Sequence, residues 1–182
     1  MTAKPRIATC SLAGCFGCHM SLLDIDERIL ELAEIVDFDR SPFNDLKEFR
    51  SRCQVGLVEG GCANEENVRV LRDFRAHCDI LVSVGQCATM GGVPALRNFV
   101  PVDECLREAY LDGPSVHNPD RIVPSDKELP LLLDKVRPCH EVVRIDYLLP
   151  GCPPSADAIW AALKALLAGE PIELPYRLIK YE

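Results

Sequence analysis

The stretch Ile80-Leu81-Val82-Ser83-Val84-Gly85-Gln86-Cys87 is β-branched and apolar on both faces, then halts at a glycine. A strand with one wet face alternates apolar and polar residues, whereas a strand inside a parallel sheet is covered on both sides. The stretch therefore reads as an interior parallel strand with a cysteine just past its carboxyl end. The same arrangement recurs on either side of it. Arg6 to Leu12 reads as a first strand, followed by Gly14-Cys15-Phe16-Gly17-Cys18. Glu141 to Leu149 reads as a final strand, followed by Pro150-Gly151-Cys152-Pro153-Pro154.

Between these lie further elements. Ile35 to Phe38 is a plausible second strand, and Val55 to Glu59 is another, stopped by Gly60-Gly61. From Met20 to Ile35 the spacing is helical, with Leu22, Ile25, Ile29 and Leu32 on one face. Asn64 is placed to cap a helix running to about His77, with Glu65 and Glu66 where the helix dipole favours acids. Ser155 to Ala168 predicts a strong Ala- and Leu-rich helix that stops at Gly169. The region from Gly91 to Pro138 is too long for a plain connection and carries a helix near Val102–Tyr110. The tail, about 170–182, reads as irregular and free to pack on a partner.

Alternating strands and helices predict one α/β domain over 1–182, a flavodoxin-like three-layer sandwich around a mostly parallel sheet. Ligands in such folds sit beyond the carboxyl ends of the strands. The three cysteine turns fall at those ends, so residues distant in the chain are expected to meet there.

A chain of 182 residues can bury a real core. Its net charge of −8 argues against nucleic acid or an anionic membrane as the main partner. No apolar run approaches the roughly 20 residues that span a bilayer. The start, Met1 to Arg6, shows no export signal, so the expected compartment is the cytoplasm. Ten cysteines in a reducing compartment do not read as disulfides. Metal or cluster ligation explains some, and burial as free thiols explains the rest.

Cys15 and Cys18 alone fit a redox dithiol, half a zinc site, or two unrelated thiols. Cys87 alone reads as a core thiol. Cys152 says more: Gly151 permits close backbone approach, and the two prolines fix a turn just before a helix. Four thiolates from three turns can hold an iron–sulfur cluster. Zinc also accepts four thiolates, yet structural zinc usually uses two tight Cys pairs and here there is one, so the spread ligands favour a cluster. Backbone N–H groups near Cys18 and Cys152, and a pliable loop expected around Cys87 between Gly85, Gly91 and Gly92, would stabilise its negative charge.

Taken in order, Gly14-Cys15-Phe16-Gly17-Cys18-His19, Met20-Ser21-Leu22-Leu23-Asp24, Leu57-Val58-Glu59-Gly60, Gly85-Gln86-Cys87-Ala88 and Pro150-Gly151-Cys152-Pro153-Pro154 resemble the small subunit of nickel–iron hydrogenases over essentially the whole chain. The resemblance implies that Cys15, Cys18, Cys87 and Cys152 bind one [4Fe–4S] cluster, relaying electrons from a nickel–iron site on a separate large subunit. It places no catalytic residue on this chain. The end at Glu182, the stretch His117-Asn118-Pro119-Asp120 and the segment Val123 to Leu133 resemble the cytoplasmic, NAD-reducing (bidirectional) branch. There, diaphorase iron–sulfur and flavin subunits carry FMN and reduce NAD. No residue here binds NAD recognisably, and none supports FMN on this chain.

The cluster subunit of respiratory complex I is the nearest rival, but it has adjacent cysteines where Cys15 and Cys18 stand apart. A thiol redox protein leaves two of the turns unexplained, and an FMN carrier would need a Ser/Thr-rich loop after the first strand. Of the other residues, Glu59 is the candidate to move protons or contact the cluster, against the plainer reading of a capping or interface acid. His19 is placed to donate an N–H to the cluster or the large subunit, or simply to pack at the surface. His77, His117 and His140 read as structural. Cys10, Cys53, Cys62, Cys78, Cys105 and Cys139 show no partner spacing and read as free thiols, with Cys62 expected to face the crevice.

Overall fold

A computed structural model describes residues 4–179 and 181. The expectation of no export signal falls partly on residues 1–3, outside the described residues. Five parallel strands form the main sheet in the order β2-β1-β3-β5-β7, where β1 is Arg6–Ser11, β2 Asp37–Phe38, β3 Cys53–Glu59, β5 Cys78–Val84 and β7 Tyr147–Leu149. Beside it β4 (Cys62–Asn64) pairs antiparallel with β6 (Leu132–Arg137) as a separate ribbon. With the ribbon set aside, the order is the flavodoxin-like one, as the alternation predicted.

Helices cover both faces. On one side α1 (Gly17–Leu23), α2 (Arg28–Ile35) and α6 (Ala156–Leu167) lay Leu22, Leu32, Ile159 and Leu163 onto Ile7, Val55, Leu57 and Val82. On the other, α3 (Glu65–His77) lays Leu71 and Phe74 onto Ala8, Val58 and Leu81. Ile7 and Ala8 lie in opposite cores because successive strand residues face opposite ways. The strand Cys78–Val84 is indeed interior, paired on both edges. Asn64 caps α3 as expected, its side chain accepting the Asn67 N–H at 2.8 Å.

Several boundaries differ from the sequence reading. The helix expected over Met20–Ile35 is two helices, because Asp26 takes φ 56° and turns the chain while Ile25 stays fully buried. The final strand is only Tyr147–Leu149. Residues 139–141 form a 3₁₀ turn, and Val142, Val143 and Ile145 pack against the α3-side core. An apolar run does not by itself distinguish pairing from packing. The helix near Val102–Tyr110 is α5 (Val102–Arg107), which passes into a π-helical turn at Glu108–Asp112. β6, in the long middle region, was missed because its burial is uneven and its partner β4 is three residues long. In the tail, Ile172, Leu174 and Leu178 pack on the core of this chain, while Tyr176 and Tyr181 are exposed.

Candidate functional site: a four-thiol mouth at the strand ends

Each cysteine turn ends a strand of the sheet. Cys15 lies in the turn after β1, and Phe16, at φ 67°, bends the chain into α1, whose first turn holds Cys18. Cys87 sits in α4 (Gly85–Met90), directly after β5. This corrects the expected pliable loop: Gly85 starts a helix there, and Thr89 Oγ1 donates to the Gly85 carbonyl at 3.0 Å. Cys152 follows Gly151 in the turn between β7 and α6; Ser155 caps α6 by accepting the Ala158 N–H at 3.3 Å.

Hydrogen bonds lace the turns together. Gln86 N donates to Gly151 O at 2.9 Å, and Ser21 Oγ to Pro154 O at 2.5 Å. Ala13 N donates to Gly61 O at 3.0 Å, which ties the Cys15 turn to the end of β3. The four thiols share one neighbourhood: Cys18 feels the charges of Cys87 and Cys15, and Cys87 those of Cys15 and Cys152. Cys15 and Cys152 are exposed, while Cys18 and Cys87 are half-buried.

Glycines keep space for the sulfurs. A Cβ on Gly85 would overlap Cys18 Sγ, and one on Gly92 would come within 2.8 Å of Cys87 Sγ. Burial, then Glu59, then the neighbouring thiols push the Cys18 thiol up. Burial also raises Cys87, opposed by a hydrogen bond from the Val93 backbone N–H. None of the causes acting on Cys18 and Cys87 is a Lys or Arg side chain, so a cationic group bound beside them would favour their thiolates. A tetrahedral zinc would draw its sulfurs to about 3.8 Å from one another. Among the described residues no three Cys, His, Asp or Glu side chains are gathered to hold a single ion. Four thiols from three turns, with glycines clearing the space beside Cys18 and Cys87, are a donor set that fits an iron–sulfur group.

Glu59 ends β3 beneath this mouth and is 3% exposed. Its carboxylate accepts from Ser11 Oγ at 2.7 Å and from His19 N at 3.2 Å, and it lies against the Cys18 thiol. Burial alone would raise its pKa; the bonds from His19 and Ser11 outweigh that and hold it below the ordinary value. His19 does not pack at the surface. It is buried, stacked on Phe16 at 4.7 Å, with Nδ1 3.2 Å from Glu59 Oε1 and Nε2 3.0 Å from Thr9 Oγ1. Thr9 continues to Ser41 Oγ at 2.8 Å. Sequence reading missed Thr9 and Ser41, since a lone hydroxyl in a strand carries no signal.

Of the remaining cysteines, Cys10, Cys53, Cys62, Cys78 and Cys139 are buried and Cys105 is half-buried. Cys53 and Cys78 face each other across β3 and β5, and Cys62 lies beside Cys139, whose thiol donates to Gly60 O at 3.4 Å. Partners therefore exist where spacing showed none. Cys62 is fully buried in the α3-side core and does not open on the crevice.

Residues 15–166 match the family described as NADH ubiquinone oxidoreductase, 20 Kd subunit. The chain belongs to that family. Within it the likeness is to hydrogenases. The chain is 47% identical to the NAD-reducing hydrogenase HoxS subunit delta of Cupriavidus necator, over 98% of this chain and 86% of that one. It is 38% identical to a subunit of the F420-non-reducing hydrogenase of Methanothermobacter thermautotrophicus, covering 96% of this chain but 57% of that relative. In three dimensions it matches a chain of an NAD+-reducing [NiFe]-hydrogenase in the H2-reduced state with TM-score 0.95 and 52% identity, over 99% of this chain and 100% of that one. The [NiFeSe]-hydrogenase of Dm. baculatum, at 17% identity and TM-score 0.56 over 98% of this chain and 70% of that one, shares the fold. The resemblance to hydrogenase small subunits, and to their NAD-reducing branch, is thereby borne out.

Proposed function

We propose that Cys15, Cys18, Cys87 and Cys152 hold one [4Fe–4S] cluster and that this chain, acting as a single domain, is the electron-transfer small subunit of an NAD-reducing hydrogenase. Its electrons pass between a nickel–iron site on a large subunit and a diaphorase module in which iron–sulfur and flavin subunits carry FMN and reduce NAD. The place of work is the cytoplasm; among the described residues no helix is long and apolar enough to cross a membrane.

One observation carries this reading: four thiols from three strand ends share one mouth, while Cys53 faces Cys78 and Cys62 lies beside Cys139 in the core. The bound cluster supplies reversible one-electron chemistry. The chain's own residues do the rest. The laced turns keep the sulfurs in place, and the glycines admit the group beside Cys18 and Cys87. Glu59, against Cys18 and bonded to His19, is positioned to hold a proton or to contact an iron beside the Cys18 sulfur.

Replacing Cys152 with alanine in the assembled complex tests this. Wild type should carry about four irons on this chain. Cys152→Ala should lose them together with hydrogen-dependent NAD reduction, while the large subunit still co-purifies. Full iron and full NAD reduction in the variant would overturn the assignment.

A further inference from the structure

Thr9 and Ser41 are buried hydroxyls that hold no place among the four thiols. Thr9 lies on β1 and Ser41 in the loop after β2, and they are 1% and 3% exposed. They form a chain with His19. Ser41 Oγ meets Thr9 Oγ1 at 2.8 Å, and Thr9 Oγ1 meets His19 Nε2 at 3.0 Å. On the other side of the ring, Nδ1 stands 3.2 Å from Glu59 Oε1. Glu59 is itself tied to the turn that carries Cys18. Its Oε2 accepts the N–H of the peptide directly after Cys18, and Cys18, His19 and Glu59 line one small void.

Donor and acceptor roles give this chain a direction. Both Glu59 oxygens accept, one from Ser11 Oγ and one from the His19 N–H, so the carboxylate turns lone pairs toward the ring. A bare Nδ1 lone pair would be repelled there, so Nδ1 carries a hydrogen. In the neutral ring Nε2 is then an acceptor, and Thr9 Oγ1 supplies its hydrogen. A hydroxyl has one hydrogen to give, so Ser41 Oγ donates to Thr9. The Phe43 N–H in turn donates to Ser41 Oγ at 3.2 Å. The chain runs one way, from a backbone N–H that can only donate to a carboxylate that accepts.

Aromatic packing alone does not place the imidazole. Phe16 stacks on it at 4.7 Å with 9° between the planes, and Phe43 meets it edge-on at 5.3 Å. Stacking fixes the ring plane but not which edge faces Glu59, because a half-turn about Cβ–Cγ leaves the plane unchanged. The bond from Thr9 to Nε2 makes that choice. Nδ1 is buried and is not aligned as a hydrogen bond to any described residue, so its pull on Glu59 depends on where the ring is held. We infer that Thr9 and Ser41 are positioning residues: through His19 they hold hydrogen toward Glu59 beside Cys18, and so set how readily the cluster on Cys18 accepts an electron. This role rests on the cluster proposed above. Negative charge beside a cluster disfavours its reduction, and hydrogen turned toward that charge offsets it. Freeing the ring therefore makes reduction harder.

The test is an EPR-monitored redox titration of the assembled hydrogenase. Thr9→Val keeps the branched shape that suits a strand and removes the hydroxyl. At the potential where half of the wild-type clusters are reduced, its reduced-to-oxidised ratio should fall about fivefold, a midpoint about 41 mV lower at about 59 mV per tenfold. Its iron content should match wild type. Ser41→Ala should lower the ratio in the same direction and less far, and it carries the test should Thr9→Val not accumulate. Thr9→Ser, which restores the hydroxyl, should restore the ratio. On a Glu59→Gln background Thr9→Val should change the ratio by less than about twofold, because the group through which it acts is already altered. An unchanged or raised ratio, loss of iron from Thr9→Val, no recovery in Thr9→Ser, or the full fall on the Glu59→Gln background would each overturn the role of Thr9 and Ser41. Failure of the cluster reading would appear separately, as absent iron in wild type.

Discussion

Changing Gly85 to alanine isolates what the thiol mouth requires of the backbone. Gly85 has φ 85° and stands where β5 turns into α4. Two costs arise there. The left-handed backbone costs a residue with a Cβ about 1–2 kcal/mol. The new Cβ would also overlap Cys18 Sγ while lying 3.5 Å from Gly151 O. Gly169 separates the two costs, because it has φ 73° but nothing within 4 Å of its would-be Cβ. For a chain of this size about 1–2 kcal/mol is worth roughly 2–8 °C in Tm. Gly169→Ala should lose that much and keep its iron. Gly85→Ala should lose more, and with it most of its iron, because the new Cβ would push the Cys18 sulfur from the position proposed for ligation. The assay is thermal melting of the two variants beside iron content and the low-temperature EPR spectrum. A Gly85→Ala protein with full iron, an unchanged spectrum and a Tm loss equal to that of Gly169→Ala would refute the placement of Cys18 against this turn.

Glu59→Gln keeps the shape but removes an acceptor from the pair that binds Ser11 and His19, at a cost of about 1.5–3 kcal/mol for charge-assisted bonds. It should alter the cluster's EPR signal or midpoint potential, and an unaltered spectrum with unaltered turnover would end the case for Glu59. Asp146 tests the acid limb of stability. Burial would raise its pKa, but Arg75 Nη1 at 2.6 Å and the Leu81 N–H at 2.9 Å more than reverse this and lower it. A lowered folded pKa means that its stabilisation is present above the ordinary carboxylate range and vanishes as pH falls through the folded value. Asp146→Asn should therefore be less stable than wild type at pH 7, with the gap closing below about pH 4; a gap independent of pH would contradict the assignment.

Much of the architecture was readable because its signals are local. Val82 and Val84 in an unbroken apolar run, with glycine at the end, mark a strand buried on both faces. Asn64 ahead of Glu65 and Glu66 marks a helix start. The misreadings share one physical origin. Val142, Val143 and Ile145 are as apolar as a strand, yet they bury against α3 instead of pairing. The helix from Met20 breaks at Asp26 so that Ile25 can reach the core. β6 is stabilised by Cys62–Asn64, some 70 residues away, and its own composition does not show it.

The cysteines divide along the same line. Residue type and turn chemistry marked Cys15, Cys18, Cys87 and Cys152 as strand-end thiols and gave Cys152 a rigid mount, because Gly, Pro and helix-start preferences act within a few residues. That Cys62 turns inward to Cys139, that Cys53 faces Cys78, and that His19 is buried between Glu59 and Thr9 were decided by tertiary structure alone. Those partners are brought together by the order of parallel strands and by burial on one face or the other. Both depend on pairings between distant segments, which no local preference encodes.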